Sequence, residues 1–226
     1  MTREKYSNAL VKEKALAAMK KAGKDYALWT KQNVHPLYVS HPLYAPEYIY
    51  TVGIARALAN LKIKPGVFCE HNASDAISEA TLTPYGRKLS KITKRSRADI
   101  IVTRQDLTPM FVIEVKNLIH SNTESFKEAV KRVADIVGPK GATTIPSGMV
   151  LFNVPSTVGK SPAEAKAKLE DRIEKLRKAA QDSLSRRKLF YPVPVPKIAS
   201  VSPESDDTGF WCWTSCALII ESGLER

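Results

Sequence analysis

Three charged side chains interrupt two otherwise apolar runs of this chain. The first run is Arg97-Ala98-Asp99-Ile100-Ile101-Val102 and the second is Phe111-Val112-Ile113-Glu114-Val115-Lys116. Both have the β-branched and aromatic make-up of strands. Alternate residues of a strand share a face, so Glu114 and Lys116 project together while Ile113 and Val115 point the other way. Burying charge among apolar neighbours is costly unless it is paired or bound to a metal. One or two carboxylates hold Mg²⁺ together with waters and a substrate phosphate, and the ion then activates a water, neutralises phosphate charge and assists the leaving oxygen. Asp99 and Glu114 suit that role, with Lys116 beside them to orient or help deprotonate the water and stabilise developing charge. Phosphodiester hydrolysis is the chemistry this spacing fits. The structural alternative is a plain ion pair of Lys116 with Glu114 on one strand face.

The chain contains its own comparison. A second E-x-K triplet, Glu164-Ala165-Lys166, lies in an alanine- and lysine-rich segment of helical periodicity. Residues two apart on a helix do not share a face, so that triplet reads as solvated helix surface. Asp99-x14-Glu114-x-Lys116, held between two strands, is the more specific pattern.

The elements around it follow in order. Residues 4–22 are rich in Ala, Lys, Leu and Glu and read as a helix ending near Gly23. A second helix opens with Pro46 at its first position and runs to Leu61. Val67-Phe68-Cys69-Glu70 reads as a first strand, and residues 71–96 as a long polar connection. Strands are expected at 98–104 and 109–118. Ser121-Asn122-Thr123-Glu124 forms a capping box ahead of Phe126, Val130, Val133 and Val137 at helical spacing, with Gly138-Pro139 as the stop. Met149-Val150-Leu151-Phe152 reads as the next strand. Ser161-Pro162-Ala163-Glu164 caps a long helix reaching Ser185. Tyr191-Pro192-Val193-Pro194-Val195-Pro196 is an edge or a connector, because proline removes a ladder donor. Residues 210–221 form a final strand or a short helix.

This order and its motif resemble the core of the PD-(D/E)xK nuclease superfamily, which includes restriction endonucleases and archaeal Holliday-junction resolvases. The resemblance runs from Pro46 to Val154, with Ala98 where a proline often precedes the aspartate. It implies an α/β fold with a restriction-endonuclease-like core, α-β-β-β-α-β, in which a mixed central β-sheet is flanked by helices. The chain then divides into an N-terminal helical extension at 1–45, the nuclease core at 46–155, and a C-terminal helix and strand extension at 156–226 packed on the core.

By the same resemblance, Asp99, Glu114 and the Val115 carbonyl bind Mg²⁺, for which Mn²⁺ can substitute. Lys116 is the catalytic lysine. A glutamate of the first core helix, Glu47, completes the site or binds a second metal, and Glu70 competes for that role. An acid in a first helical turn also simply complements the helix dipole. The expected activity is metal-dependent cleavage of DNA, with an endonuclease as the better match. Many members pair two copies, which a homodimer through the terminal segments would reproduce. The rival readings are a catalytically silent nuclease-fold DNA-binding or assembly subunit, and an RNA-binding protein whose charges are structural.

Charge points to the same class of partner. The 226 residues carry 35 Lys and Arg against 23 Asp and Glu, a net +12 that favours a polyanion. Arg87, Lys88, Lys91, Lys94, Arg95 and Arg97 lead directly into Asp99, where they could hold DNA phosphates. Lys127, Lys131 and Arg132 extend that track along the following helix. His71 and His120 flank the motif as auxiliary acids or bases. Trp211 and Trp213 read as core residues, with base stacking the alternative. Three cysteines, Cys69, Cys212 and Cys216, make no disulfide framework. The Cys212 and Cys216 pair lacks the further ligands of a structural zinc. The charged start Thr2-Arg3-Glu4-Lys5 is unlike a signal peptide, and no run reaches the ~20 apolar residues of a membrane span. The chain reads as cytoplasmic, without a membrane association or an organic cofactor.

Overall fold

Glu114 and Lys116 lie near the end of an interior strand, and that strand organises the fold. The computed structural model describes residues 8–33, 45–72, 97–118, 123–137, 145, 147–185, 197–198, 201–206 and 209–221. In chain order the elements are α1 (Asn8–Asn33), α2 (Glu47–Ala59), β1 (Gly66–Asn72), β2 (Arg97–Thr103), β3 (Pro109–Leu118), α3 (Glu124–Val137), β4 (Ser147–Pro155), α4 (Pro162–Ser185), β5 (Lys197–Ile198), β6 (Ser202–Asp206) and β7 (Gly209–Glu221). The protein is α/β, with a mixed sheet flanked by helices.

The sheet order is β1-β2-β3-β4-β7-β5, with β6 also paired to β7. β1, β2 and β3 form an antiparallel meander, β3 and β4 run parallel, and β4 pairs antiparallel with β7. The parallel β3–β4 pair requires a crossover, and α3 lies on it between the two strands in sequence. β4 is buried at all nine positions, as expected of a strand covered on both faces.

Strand alternation sorts the core into two layers. Phe111, Ile113 and Val115 of β3 join Met149 and Leu151 of β4 in one cluster with Val11, Ala15 and Met19 of α1 and Tyr50, Ile54 and Leu58 of α2. Val112 of β3 joins Val150, Phe152 and Val154 in the other, against Phe126, Val130, Val133 and Val137 of α3 and Leu169, Ile173 and Leu176 of α4. Glu114 has the parity of Val112 and leaves the sheet on the α3 side, while Lys116, at the irregular end of β3, reaches Glu47 of α2.

Most expected elements are present within a few residues of their sequence positions. α4 begins with half of its capping box: the Glu164 N–H donates to Ser161 Oγ at 3.2 Å, while Glu164 Oε2 accepts the Lys160 N–H at 2.8 Å, one residue ahead of the cap. The final segment is a strand, 13 residues long. Pro46 caps α2 instead of occupying its first turn. β1 is longer than expected, and β4 extends beyond residues 149–152 at both ends.

α1 corrects a boundary. It continues through Gly23 to Asn33, ten residues beyond the expected stop. A mid-helix glycine costs about 1 kcal/mol against alanine, and packing against α2 offsets it. A Cβ built on Gly53 of α2 would stand 2.7 Å from the Ala22 Cβ, so the two helices meet almost backbone to backbone beside Gly23. Tyr191 to Pro196, the Ser121 cap and the Gly138-Pro139 stop lie outside the described residues.

Candidate active site

The hairpin of β2 and β3 brings the motif together. Ile100 pairs with Ile113, so the next step of the register sets Asp99 beside Glu114. There the Asp99 carboxylate replaces a ladder acceptor, and its Oδ2 accepts the Val115 N–H at 2.6 Å. Burial raises the Asp99 pKa more than that bond and the Lys116 charge lower it, while Glu47 and Glu70 push it further up.

Glu114 is fully buried. Its Oε1 accepts a hydrogen bond from Arg132 Nη1 of α3 and lies 3.6 Å from Lys116 Nζ. Its Oε2 is buried and has no hydrogen-bond partner among the described residues. Burial, then the charge of Asp99, pushes the Glu114 pKa up to about 7 against the opposing pull of Arg132 and Lys116.

Lys116 bridges two elements, with Nζ 3.2 Å from Glu47 Oε1 at the start of α2. Burial lowers its pKa, but the combined charges of Glu114, Glu47 and Asp99 outweigh that and raise it. Lys116 is therefore an ammonium at neutral pH. Glu47 is held at both oxygens, since Oε2 accepts the Asn117 N–H at 3.3 Å. Asn117 Nδ2 donates to the Ala45 carbonyl at 2.6 Å, while Asn117 Oδ1 is buried and has no partner among the described residues.

Glu70 sits between the register pairs Cys69↔Ile100 and His71↔Ala98, the position across from Asp99. It is exposed and has φ 53°, a left-handed backbone that a non-glycine residue adopts at a cost. Among the described residues the cluster thus holds four carboxylates, Glu47, Glu70, Asp99 and Glu114, against two cations, Lys116 and Arg132.

That excess of acid, with an unpartnered oxygen on a buried carboxylate, fits a divalent cation. Among the described residues no group of three His, Cys, Asp or Glu side chains is arranged to hold a metal ion. Mg²⁺ requires only one or two carboxylates when waters and phosphate complete its shell, and Asp99 and Glu114 supply two.

No family model, curated protein or solved structure matches this chain. The chemistry rests on its own residues.

Asp99, Glu114, Lys116 and Glu47 therefore meet, and Val115 joins them through its backbone. Arg97 opens β2 and is exposed, as is Lys131, while Lys127 pairs with Glu124 at 2.7 Å. Arg87, Lys88, Lys91, Lys94, Arg95 and His120 lie outside the described residues, as does the side chain of His71. Trp213 is a core residue, with Lys20 Nζ 5.5 Å from its ring centroid. Cys212 and Cys216 are free, buried cysteines of β7, and burial pushes the Cys216 thiol up to about 12.

Sequence reasoning missed two participants. Arg132, read as part of a basic track, is the partner of Glu114. Its signal was a buried glutamate in need of a cation on the next helix. Asn117, overlooked entirely, follows Lys116 with opposite strand parity, the parity of the residues that face α2.

Proposed function

We propose that this protein is a metal-dependent nuclease that hydrolyses phosphodiester bonds in DNA, built on a restriction-endonuclease-like core of the PD-(D/E)xK type. The observation that carries this reading is Glu114: a fully buried carboxylate with one free oxygen, set beside Asp99 and within 3.6 Å of Lys116. Most buried polar atoms find a partner, so the open oxygen supports a ligand there.

Asp99 and Glu114 would hold Mg²⁺ or Mn²⁺, with the Val115 carbonyl as the further ligand that the resemblance implies. The ion when bound supplies Lewis-acid neutralisation of the phosphate and lowers the pKa of water. Lys116, as an ammonium, orients the attacking water and counters the charge that develops on the phosphate. It is not the base in the metal-free protein, because its pKa is raised. Glu47 fixes the ammonium in place, and Asn117 fixes Glu47. Arg132 holds Glu114 in one rotamer, leaving Oε2 free. The net charge of +12 supports a polyanionic substrate.

The Arg132–Glu114 pair favours a second reading, a catalytically silent DNA-binding subunit with a neutralised site. Incubation of purified protein with supercoiled, linear and single-stranded DNA in Mg²⁺, Mn²⁺ or EDTA decides between them. Metal-dependent cutting is expected, with nicked circles marking an endonuclease. DNA that is bound but left intact under every condition points to the silent subunit.

A further inference from the structure

α1 and α2 touch at Ala22 and Gly53. Between them lies a groove of ≈ 810 Å³. Trp29 of α1 and Tyr48 and Val52 of α2 line it, and each is more than half exposed, at 57%, 64% and 58%. Exposed aromatic side chains gathered in one groove offer a contact surface. Lys14, Lys21 and Arg56 also line the groove, against one lining acid, Asp25. Lys21 Nζ is 2.5 Å from Asp25 Oδ2, while Lys14 and Arg56 make no ion pair among the described residues. Tyr48 directly follows Glu47 in the first turn of α2.

Aromatic faces rimmed by cations suit one class of ligand. Bases stack on Trp and Tyr whatever their sequence, and lysine and arginine follow the phosphates. The nine residues from Tyr48 to Arg56 span about 12 Å of helix, the length of about three stacked bases. We propose that this groove holds a single-stranded segment of DNA, with bases on Trp29 and Tyr48 and phosphates against Lys14 and Arg56. The inference rests on the nuclease reading and names its substrate as DNA that carries an unpaired stretch. A second copy of the chain suits the groove less well. A two-fold contact there would bring the basic rims of two strongly cationic chains together.

The test is binding of a fluorescent oligothymidylate, and of a duplex of equal length, in EDTA so that nothing is cut. The expected result is tighter binding of the single strand, weakened about tenfold by Trp29→Ala and by Tyr48→Ala and largely retained by Trp29→Phe. Lys14→Gln and Arg56→Gln should each reduce the salt slope by about one. Circular dichroism checks that the variants fold. Equal affinity of wild type and both alanine variants, or preference for duplex, overturns the inference. So does a groove substitution that dissociates a dimer without changing DNA affinity. The two readings fail separately. A wild type that binds through Trp29 and Tyr48 but never cuts removes the nuclease and leaves the groove. A metal-dependent nuclease indifferent to both substitutions does the reverse.

Discussion

Glu47 Oε1 lies 3.2 Å from the Lys116 ammonium, across 69 positions of sequence. The contact joins the first turn of α2 to the exit of β3. Glu47→Gln keeps the side chain's size but removes the charge that holds Lys116. DNA cleavage is expected to fall about 10- to 100-fold, the usual effect of losing a residue that orients a metal-site group. The melting temperature should change little, because Glu47 is partly exposed. Cleavage rates and a thermal melt of the same samples check both halves.

Asn117→Ala should act through Glu47. It removes the bond to the Ala45 carbonyl that anchors the start of α2, while leaving the backbone N–H that Glu47 accepts. The expected result is a smaller loss of cleavage than Glu47→Gln causes, and little further loss when the two are combined. Full additivity would place Asn117 outside this chain of contacts.

Glu114 makes stability depend on pH with a defined sign. Its folded pKa is about 7 against an ordinary 4.5, so the folded chain holds the extra proton between those values. The stabilisation is fully present below pH 4.5 and is lost as pH rises through 7, a change of up to about 3 kcal/mol. Asp99, also raised, adds to it with the same sign. In EDTA the melting temperature should fall from pH 5 to pH 8, and Glu114→Gln should flatten the slope. Mg²⁺ should restore more stability at pH 8 than at pH 6, since proton and metal compete for the same oxygens.

Arg132→Ala leaves Glu114 with Lys116 as its only cation among the described residues. Partial exposure of Arg132 moderates the cost, so a loss of about 1–3 kcal/mol is expected at pH 8. At pH 5, where Glu114 carries its proton, the loss should shrink. Denaturant melts of wild type and variant at the two pH values measure it.

Gly148 of β4 tests how α3 is seated. An added Cβ would stand 2.5 Å from Val112 Cγ1, 2.6 Å from Val133 Cγ1 and 2.9 Å from Val137 Cγ2. Gly148→Ala should therefore destabilise by about 1–3 kcal/mol. Because Arg132 precedes Val133 on the displaced helix, cleavage should fall further than stability alone explains.

The sequence made some of this visible and hid the rest for physical reasons. Asp99, Glu114 and Lys116 stood out because charge is rare in apolar strands, and strand parity correctly paired Glu114 with Lys116. β1 to β4 and α4 were legible from β-branched and apolar runs and a capping box, whereas the short strands β5 and β6 gave no such signal. Arg132 was obscure because it flanks the apolar stripe of α3, where a basic residue ordinarily meets solvent. Asn117 was obscure because its partners lie 70 and 72 positions away. The length of α1 was hidden by Gly23, whose penalty is offset by a contact between Ala22 and Gly53 that no local pattern reveals. Glu47 came to notice through the family resemblance; the first-turn acid alone was equally consistent with dipole capping.

The central claim is that Glu114 and Lys116 perform metal-dependent hydrolysis. Its most direct test is the nicking of supercoiled DNA in Mg²⁺ by wild type, Glu114→Ala and Lys116→Ala, each confirmed as folded and as binding DNA in EDTA. The account predicts cutting by wild type that stops in EDTA and is lost in both variants. Cutting that survives in either variant, or a wild type as inert as both, would contradict it.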